Sequence, residues 1–137
     1  MGLQRLLARR GQDTLEELAR WVGDGSLLEL RAVAAAVAEP SLLKDKQVAL
    51  SALQLHRRII DRVLETGERR SEEFRVLRKA LGYTLSVVTR AIPDEGFEFM
   101  RQLVALQDKD VLWVVKENLK KNRLVKNFPG QVESILF

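Results

Sequence analysis

The chain has 137 residues, of which 46% are hydrophobic and 31% are charged, and its formal net charge is +4. This length and composition predict one globular domain, and no apolar run reaches the ~20 residues of a membrane-spanning helix, so we expect no membrane insertion. The chain contains no cysteine, which excludes disulfides, thiolate metal ligands and a cysteine nucleophile and favours a cytoplasmic location.

The first predicted helical hairpin spans residues 13–38 and follows a short, partly helical terminal segment, 1–12. Each helix of the hairpin opens with a capping box, in which a hydroxyl residue is followed three positions later by Glu. The two boxes are Thr14 with Glu17 and Ser26 with Glu29. Gly23 and Gly25 end the first helix, and Pro40 prevents the second from continuing because proline lacks an amide hydrogen.

The second predicted hairpin spans residues 45–91 and contains the two longest helices. Asp45 and Ser71 stand at the cap positions of these helices. Each helix carries two adjacent apolar stripes, and such a wide apolar arc indicates burial on two sides, as in the middle of a stack. Gly82 lies inside the second helix, where it costs about 1 kcal/mol of helix propensity relative to Ala. It marks either a close helix crossing or a kink.

The third predicted hairpin spans residues 94–127. Pro93 ends the preceding helix, Asp94 caps the first helix of the hairpin, and Asp108 caps the second. A short segment, 128–137, follows and is apolar at its end. A lone terminal helix cannot bury both of its sides. We therefore expect this tail either to fold back on the last hairpin, which leaves a monomer, or to form a weak homodimer with a second molecule.

Capping residues that recur along the chain predict its architecture. No stretch alternates apolar and polar residues as a β-strand does, so the fold is predicted to be all-α. A capping residue followed three positions later by an apolar residue recurs at the start of each second helix. The three pairs are Asp24 with Leu27, Ser71 with Phe74, and Asp108 with Val111. Their spacings of 47 and 37 residues are close to those of two-helix solenoid repeats. We therefore predict about three hairpins stacked in a right-handed superhelix.

Two stretches resemble the HEAT repeat of armadillo-type folds, in which an apolar first helix runs into an Asp-containing turn followed by Val. In LVALQDKDVLWVVKENLKKNRL the matching positions are Leu103, Leu106, Asp108, Asp110, Val111, Val115 and Leu119. The second stretch is LARWVGDGSLLELRAVAAAVAEPSLLKD. The resemblance covers residues 13–127 and extends to the helical-repeat family of DNA-alkylation-repair proteins. It implies that second helices line a concave surface, and that a full repair glycosylase uses more helices than this chain provides.

The positive charge lies in the second half of the chain, where residues 69–137 hold thirteen Lys and Arg against nine Asp and Glu. A run of cations follows Trp113 on the last predicted helix. It consists of Lys116, Lys120, Lys121, Arg123 and Lys126. Positions 116, 120 and 123 share one helical face, and such a face would neutralise the phosphates of a nucleic acid. The alternative is a solvated face in which the cations complement the helix dipole and Lys121 pairs with Glu117.

A second basic segment opens the fourth predicted helix. It contains Arg69, Arg70, Arg75, Arg78 and Lys79. Cations at the start of a helix oppose its dipole, and Glu72 and Glu73 compensate in part. Because helix phase is expected to scatter these side chains over several faces, we predict no binding surface there.

The remaining candidate residues have structural alternatives. Trp113 and Trp21 fit either packing between repeats or an aromatic surface beside the basic run. His56 is the only histidine and lies on an apolar stripe, where a buried structural role is expected rather than catalysis. Without a second histidine or a cysteine, and without a phosphate loop or a catalytic serine motif, we predict no catalytic residue, no metal and no cofactor.

Two functions remain open at this point. The first is a non-catalytic HEAT-like scaffold that binds a protein partner on its curved surface, which the resemblance implies. The second is a nucleic-acid-binding protein related to DNA alkylation repair, whose contacts are the basic run and Trp113. Binding of nucleic acid would be strongly salt-dependent, whereas the scaffold makes no such prediction.

Overall fold

The structure is a computed structural model that describes residues 12–136, with side chains described from residue 17 onward. The regular structure in this part of the chain is entirely helical, which confirms the all-α prediction. The helices are α1 (Gln12–Asp24), α2 (Leu27–Val37), α3 (Lys46–Glu65), α4 (Glu72–Ala91), α5 (Pro93–Ala105), α6 (Lys109–Leu119), α7 (Asn122–Val125) and α8 (Pro129–Leu136), and a 3₁₀ turn, Leu42–Lys44, connects α2 to α3. Among the described residues, no helix has the length and apolar character needed to cross a bilayer. The predicted segment 1–12 lies almost entirely outside this range.

Helix α4 is the centre of the fold. It packs extensively against both α2 and α6, and it also contacts α3, α5 and α7. Half of its residues are buried, including Phe74, Leu77 and Val88. This burial agrees with the two apolar stripes of its sequence, because a helix with neighbours on several sides needs apolar residues around more than one face. Helix α1 packs against α3, and α5 packs against α4 and α6.

Most of the predicted helix caps are present. Side chains at four N-cap positions accept hydrogen bonds from backbone amides in the first turns of α2, α3, α4 and α6. These residues are Ser26, Asp45, Ser71 and Asp108. Three cap predictions are wrong. Asp24 is the last residue of α1, and the cap of α2 is Ser26 instead. Thr14 lies inside α1, which already contains Gln12. Helix α5 begins at Pro93 and has no cap from Asp94, because the fixed φ of proline and its missing amide hydrogen suit the first helical position.

Arginine side chains connect neighbouring helix pairs. Arg62 on α3 donates to the carbonyl oxygens of Val22 (2.6 Å) and Gly25 (2.8 Å), where α1 ends. Arg69, which precedes α4, forms a two-point ion pair with Asp108 at the start of α6, with N–O distances of 2.8 and 2.9 Å. The Arg69 guanidinium holds the pKa of Asp108 below its ordinary value. In both pairings an arginine of the second hairpin binds groups at a helix end of a neighbouring hairpin: the carbonyl oxygens at the end of α1 and the capping carboxylate of α6. Such charge-assisted hydrogen bonds hold neighbouring hairpins together.

Asn118 on α6 is fully buried against α4. Its Oδ1 accepts a hydrogen bond from the backbone amide of Ser86 at 2.7 Å, and its Nδ2 donates to the carbonyl oxygens of Leu81 at 2.8 Å and Val114 at 2.7 Å. Both amide hydrogens and the amide oxygen therefore have partners in the core. Because an unpartnered buried polar group is costly, these three bonds favour a single register of α6 on α4.

His56 connects α3 to α4 inside the core, as its apolar stripe predicts. Its Nδ1 donates to the carbonyl oxygen of Ala52 at 2.9 Å, and its Nε2, also at 2.9 Å, accepts from the hydroxyl of Thr84. The Ala52 carbonyl can only accept, so it places the ring proton on Nδ1. Burial lowers the pKa of His56 from 6.5 to about 4, because the charged ring would lose its hydration.

This buried histidine makes the stability of the protein depend on pH. The unfolded chain binds a proton at His56 below about pH 6.5, whereas the folded protein binds it only near pH 4. The free energy of unfolding therefore falls as pH falls through this window, by about 2 kcal/mol between about pH 7 and about pH 5. Urea unfolding at the two pH values measures the change. The variant His56→Gln is expected to lose this contribution, and an equal pH dependence in both proteins would contradict the assignment.

The last long helix ends earlier than the sequence predicts. Helix α6 stops at Leu119, Lys121 has an extended backbone (φ −69°, ψ 135°), and the separate turn α7 follows. In one continuous helix Leu124 would be rotated by about 140° from Leu119. The break instead buries both leucines, which are 0% and 1% exposed. The predicted single-helix face of cations is therefore wrong, because its members belong to two helices and the bend between them.

The C-terminal tail folds back on the preceding helices, which was one of the two expectations for it. Helix α8 packs against α5 and α7, and Val132 is buried. Phe128, just before α8, contacts Phe97 of α5 edge-to-face with ring centroids 5.6 Å apart. The other expectation, a weak homodimer through this tail, stays a prediction. Phe137 lies outside the described residues.

Candidate functional site

Two grooves meet at Tyr83 on α4, which lines both of them. The first groove, of about 620 Å³, lies between α2, α4 and α6. Its lining residues are Arg31, Arg75, Val76, Arg78, Lys79, Gly82, Tyr83, Trp113, Glu117 and Lys121. The second groove, of about 570 Å³, lies between the end of α2, the 3₁₀ turn, α4 and α7. Its lining residues are Ala38, Pro40, Leu43, Lys44, Tyr83, Val87, Arg90, Ala91 and Arg123.

The two grooves together hold eight cationic side chains and one carboxylate, Glu117, and are named the basic groove below. The cations are Arg31, Lys44, Arg75, Arg78, Lys79, Arg90, Lys121 and Arg123. Within the part of the chain that the structure describes, the side chains of Arg31 and Lys79 form no hydrogen bond or ion pair. A concave surface with charge of one sign focuses the electrostatic potential and raises the local concentration of anions.

Trp113 is fixed in the first groove by contacts with α4. The guanidinium carbon of Arg78 lies 4.2 Å from the centroid of the indole ring, a cation–π contact. Nε of Arg78 also lies 3.8 Å from the Asp110 carboxylate. Gly82 makes room for the ring, since a Cβ at this position would lie 3.1 Å from Cζ3 of Trp113. Gly82 therefore permits the close contact between α4 and α6, which the sequence offered as one of two explanations for this glycine.

The second groove combines apolar and cationic groups. Val87 and Ala91 provide apolar surface beside the cations, and Leu43, which is buried in the core, also lines the groove. Arg123 reaches this groove because the chain bends before α7, and its Nη1 donates to the hydroxyl of Ser86 at 2.9 Å. That hydroxyl in turn donates to the carbonyl oxygen of Tyr83 at 2.6 Å. The Arg123 guanidinium is thus held against α4 by Ser86, which lies one helical turn after Tyr83, the residue that the two grooves share.

The structure separates the cations that the sequence grouped on one face. Trp113 and Lys121 line the first groove and Arg123 lines the second. The other three cations of the predicted face line neither groove. They are Lys116, Lys120 and Lys126. Nζ of Lys120 lies 2.8 Å from the Glu117 carboxylate, and this pairing holds the pKa of Glu117 below its ordinary value.

Comparison of the chain with models of protein families, with curated proteins and with solved structures finds no match. The resemblance to HEAT repeats and to DNA-alkylation-repair proteins therefore stays a prediction.

The residues that the sequence analysis set aside form much of the basic groove. Arg75, Arg78 and Lys79 line it together, so the expectation that helix phase scatters them is wrong for these three. Their positions i, i+3 and i+4 place them on one face of α4, and Gly82 and Tyr83 continue that face one turn later. This spacing was available in the sequence. The contribution of Arg31 from α2 was not, because it depends on how α2 packs against α4.

Metal-ligating side chains do not cluster in the part of the chain that the structure describes. Among the described residues, no group of three or more His, Cys, Asp or Glu side chains is arranged to hold a metal ion. Both ring nitrogens of His56 are used in the core. Trp21 is half exposed on α1 and lines neither groove. The basic groove itself offers cations beside aromatic and apolar surface, which suits the binding of an anion.

Proposed function

We propose that this protein binds nucleic acid, with the sugar-phosphate backbone lying in the basic groove. The observation that carries the proposal is the convergence of eight cations and one carboxylate along two joined grooves. Each phosphate neutralised by Lys or Arg releases condensed counterions, so a groove of this composition gains affinity from every phosphate it contacts. Five of the eight cations are arginines, whose planar guanidinium matches two phosphate oxygens at once.

The aromatic residues favour nucleic acid over an acidic protein segment. Tyr83 and Trp113 stand among the cations, and Tyr83 is 41% exposed. Bases stack on aromatic side chains while the backbone follows cations, and this interleaving is typical of nucleic-acid surfaces. An acidic peptide has no bases to stack on these rings. It is the competing occupant, and it corresponds to the protein-binding scaffold that the sequence also allows.

We further propose that the three helix pairs form a right-handed superhelix of the HEAT-like kind. The packing of α4 against both α2 and α6 supports this arrangement, since these are the second helices of consecutive pairs. The packing of α1 against α3, both first helices, supports it as well. In such a stack the first groove lies where the second helices line up, which is the surface that repeat proteins use for extended ligands.

The salt dependence of binding tests the proposed function. We expect labelled single-stranded DNA to bind at low salt and the logarithm of the association constant to fall with the logarithm of the salt concentration, with a slope of roughly −3 to −6. This range corresponds to about five to eight phosphate contacts, one for each cation of one or both grooves. Fluorescence anisotropy at several salt concentrations provides the measurement, with an unrelated basic protein of similar net charge as control.

Each outcome of this experiment is informative. Affinity well above that of the control protein supports a built site over general charge attraction. Affinity equal to the control contradicts the proposal. Binding of an acidic peptide in preference to DNA, measured in the same assay by competition, would assign the groove to a protein partner.

A further inference from the structure

We infer that the basic groove selects single-stranded nucleic acid and that Tyr83 is the surface on which a base stacks. This inference rests on the proposed function and specifies the ligand class of the same site. The single-strand preference follows from what lies between the cations: an exposed aromatic ring and a patch of apolar side chains. A duplex presents phosphates on its outside but keeps its bases stacked inside, so it can use the cations alone.

Tyr83 has a central position in the basic groove. It is the residue that the two grooves share, and its neighbours Gly82 and Thr84 are both buried. Tyr83 thus projects from a rigid part of α4, with cations in the groove on either side. A strand lying along both grooves would pass Tyr83 with phosphates at each side of it. Stacking of a base on its ring would then use the part of the Tyr83 side chain that is exposed to solvent.

The second groove places apolar side chains beside arginines. Leu43, Val87 and Ala91 line it together with Arg90 and Arg123. Apolar surface of this kind suits the face of an unstacked base, whereas the phosphates of a duplex gain nothing from it. The Arg123 guanidinium is already held by the Ser86 hydroxyl at 2.9 Å, so it is positioned before a ligand arrives. Pre-positioning reduces the side-chain ordering that binding would otherwise require.

The test compares three labelled probes of equal length by fluorescence anisotropy at the same salt concentration. They are an oligothymidine, a duplex, and a single strand with the same phosphates but abasic sites in place of the bases. We expect the oligothymidine to bind about tenfold or more tightly than either of the others. In the variant Tyr83→Ala we expect the oligothymidine affinity to fall by roughly 5- to 150-fold, and in Tyr83→Phe, which keeps the ring, to stay within about twofold.

The outcomes separate this inference from the proposed function. Equal binding of all three probes, unchanged in Tyr83→Ala, overturns the single-strand inference and leaves nucleic-acid binding in place. Absence of binding for every probe removes both. Thermal unfolding of each variant shows whether it is folded. The comparison of oligothymidine with the abasic strand uses the unaltered protein, so it decides the question even if Tyr83→Ala fails to fold.

Discussion

The triple variant Arg31→Glu/Lys79→Glu/Lys121→Glu is expected to lose affinity for nucleic acid by about 100-fold or more. The three positions belong to α2, α4 and the segment after α6, and all line the first groove. Replacement removes three attractive charges and introduces three repulsive ones. At roughly 0.5 kcal/mol for each exposed charge interaction, the six changes amount to about 3 kcal/mol. Anisotropy titration with a labelled single strand at low salt measures the effect.

A matched variant provides the control, because the chain also has exposed cations that line neither groove. Lys109→Glu/Lys116→Glu/Lys126→Glu changes the net charge by the same amount at exposed positions that line neither groove. Lys120 is left unchanged because it pairs with Glu117, which lines the first groove. We expect this variant to lose less than about tenfold, through the general field of the protein alone. The comparison of the two variants also tests whether the groove or the cation face predicted from the sequence binds the nucleic acid. A larger loss in the control would restore that face and contradict the groove.

Replacing Asn118 by Asp is expected to destabilise the protein by roughly 2–6 kcal/mol. The substitution keeps the size of the side chain but exchanges the Nδ2 donor for an oxygen. That oxygen would face the carbonyl oxygens of Leu81 and Val114, which now accept hydrogen bonds at 2.8 and 2.7 Å. A loss of this size is a large part of the total stability of a small domain. Urea unfolding followed by circular dichroism measures it.

The exposed residue Asn122 is the control for this substitution. Asn122→Asp makes the same chemical change at the first position of α7, where the side chain is in solvent. A negative charge at a helix N-terminus is neutral or mildly favourable, so we expect a change within about 0.5 kcal/mol. If Asn118→Asp were equally harmless, the amide of Asn118 would have no structural role beyond filling space.

The sequence predicted the helices where local chemistry decides them. Caps such as Asp45, Ser71 and Asp108 use contacts within one turn, and these residues take the predicted roles. The wide apolar arc of α4 likewise indicated its central position, because burial of a helix on several sides is recorded in its own periodicity. The boundary at Leu119 was missed because it is set by the core. Burying Leu124 requires a bend before α7, and no local sequence signal in this segment predicts that bend.

The candidate site was predicted only in part, for the same physical reason. Trp113 and Lys121, which the sequence grouped on one basic face, line the first groove, but their neighbours in that groove come from α2 and α4. Residues that share a helix can be grouped from spacing, and Arg75 with Lys79 illustrates a grouping that was overlooked. Residues that meet across helices, such as Arg31 with Lys121, are brought together by tertiary packing, which one sequence without structure does not specify.

The first groove draws its lining from α2, α4 and α6, and therefore from three consecutive helix pairs. A ligand in it would touch all three and would be released whenever one pair separated from the next. Such a ligand would hold the three pairs together. It would slow the local opening of the outer pairs and raise the melting temperature, with a stabilisation that grows as the logarithm of the ligand concentration above its Kd. Amide hydrogens in α2 and α6, on either side of the central helix, would then exchange more slowly together when the groove is occupied.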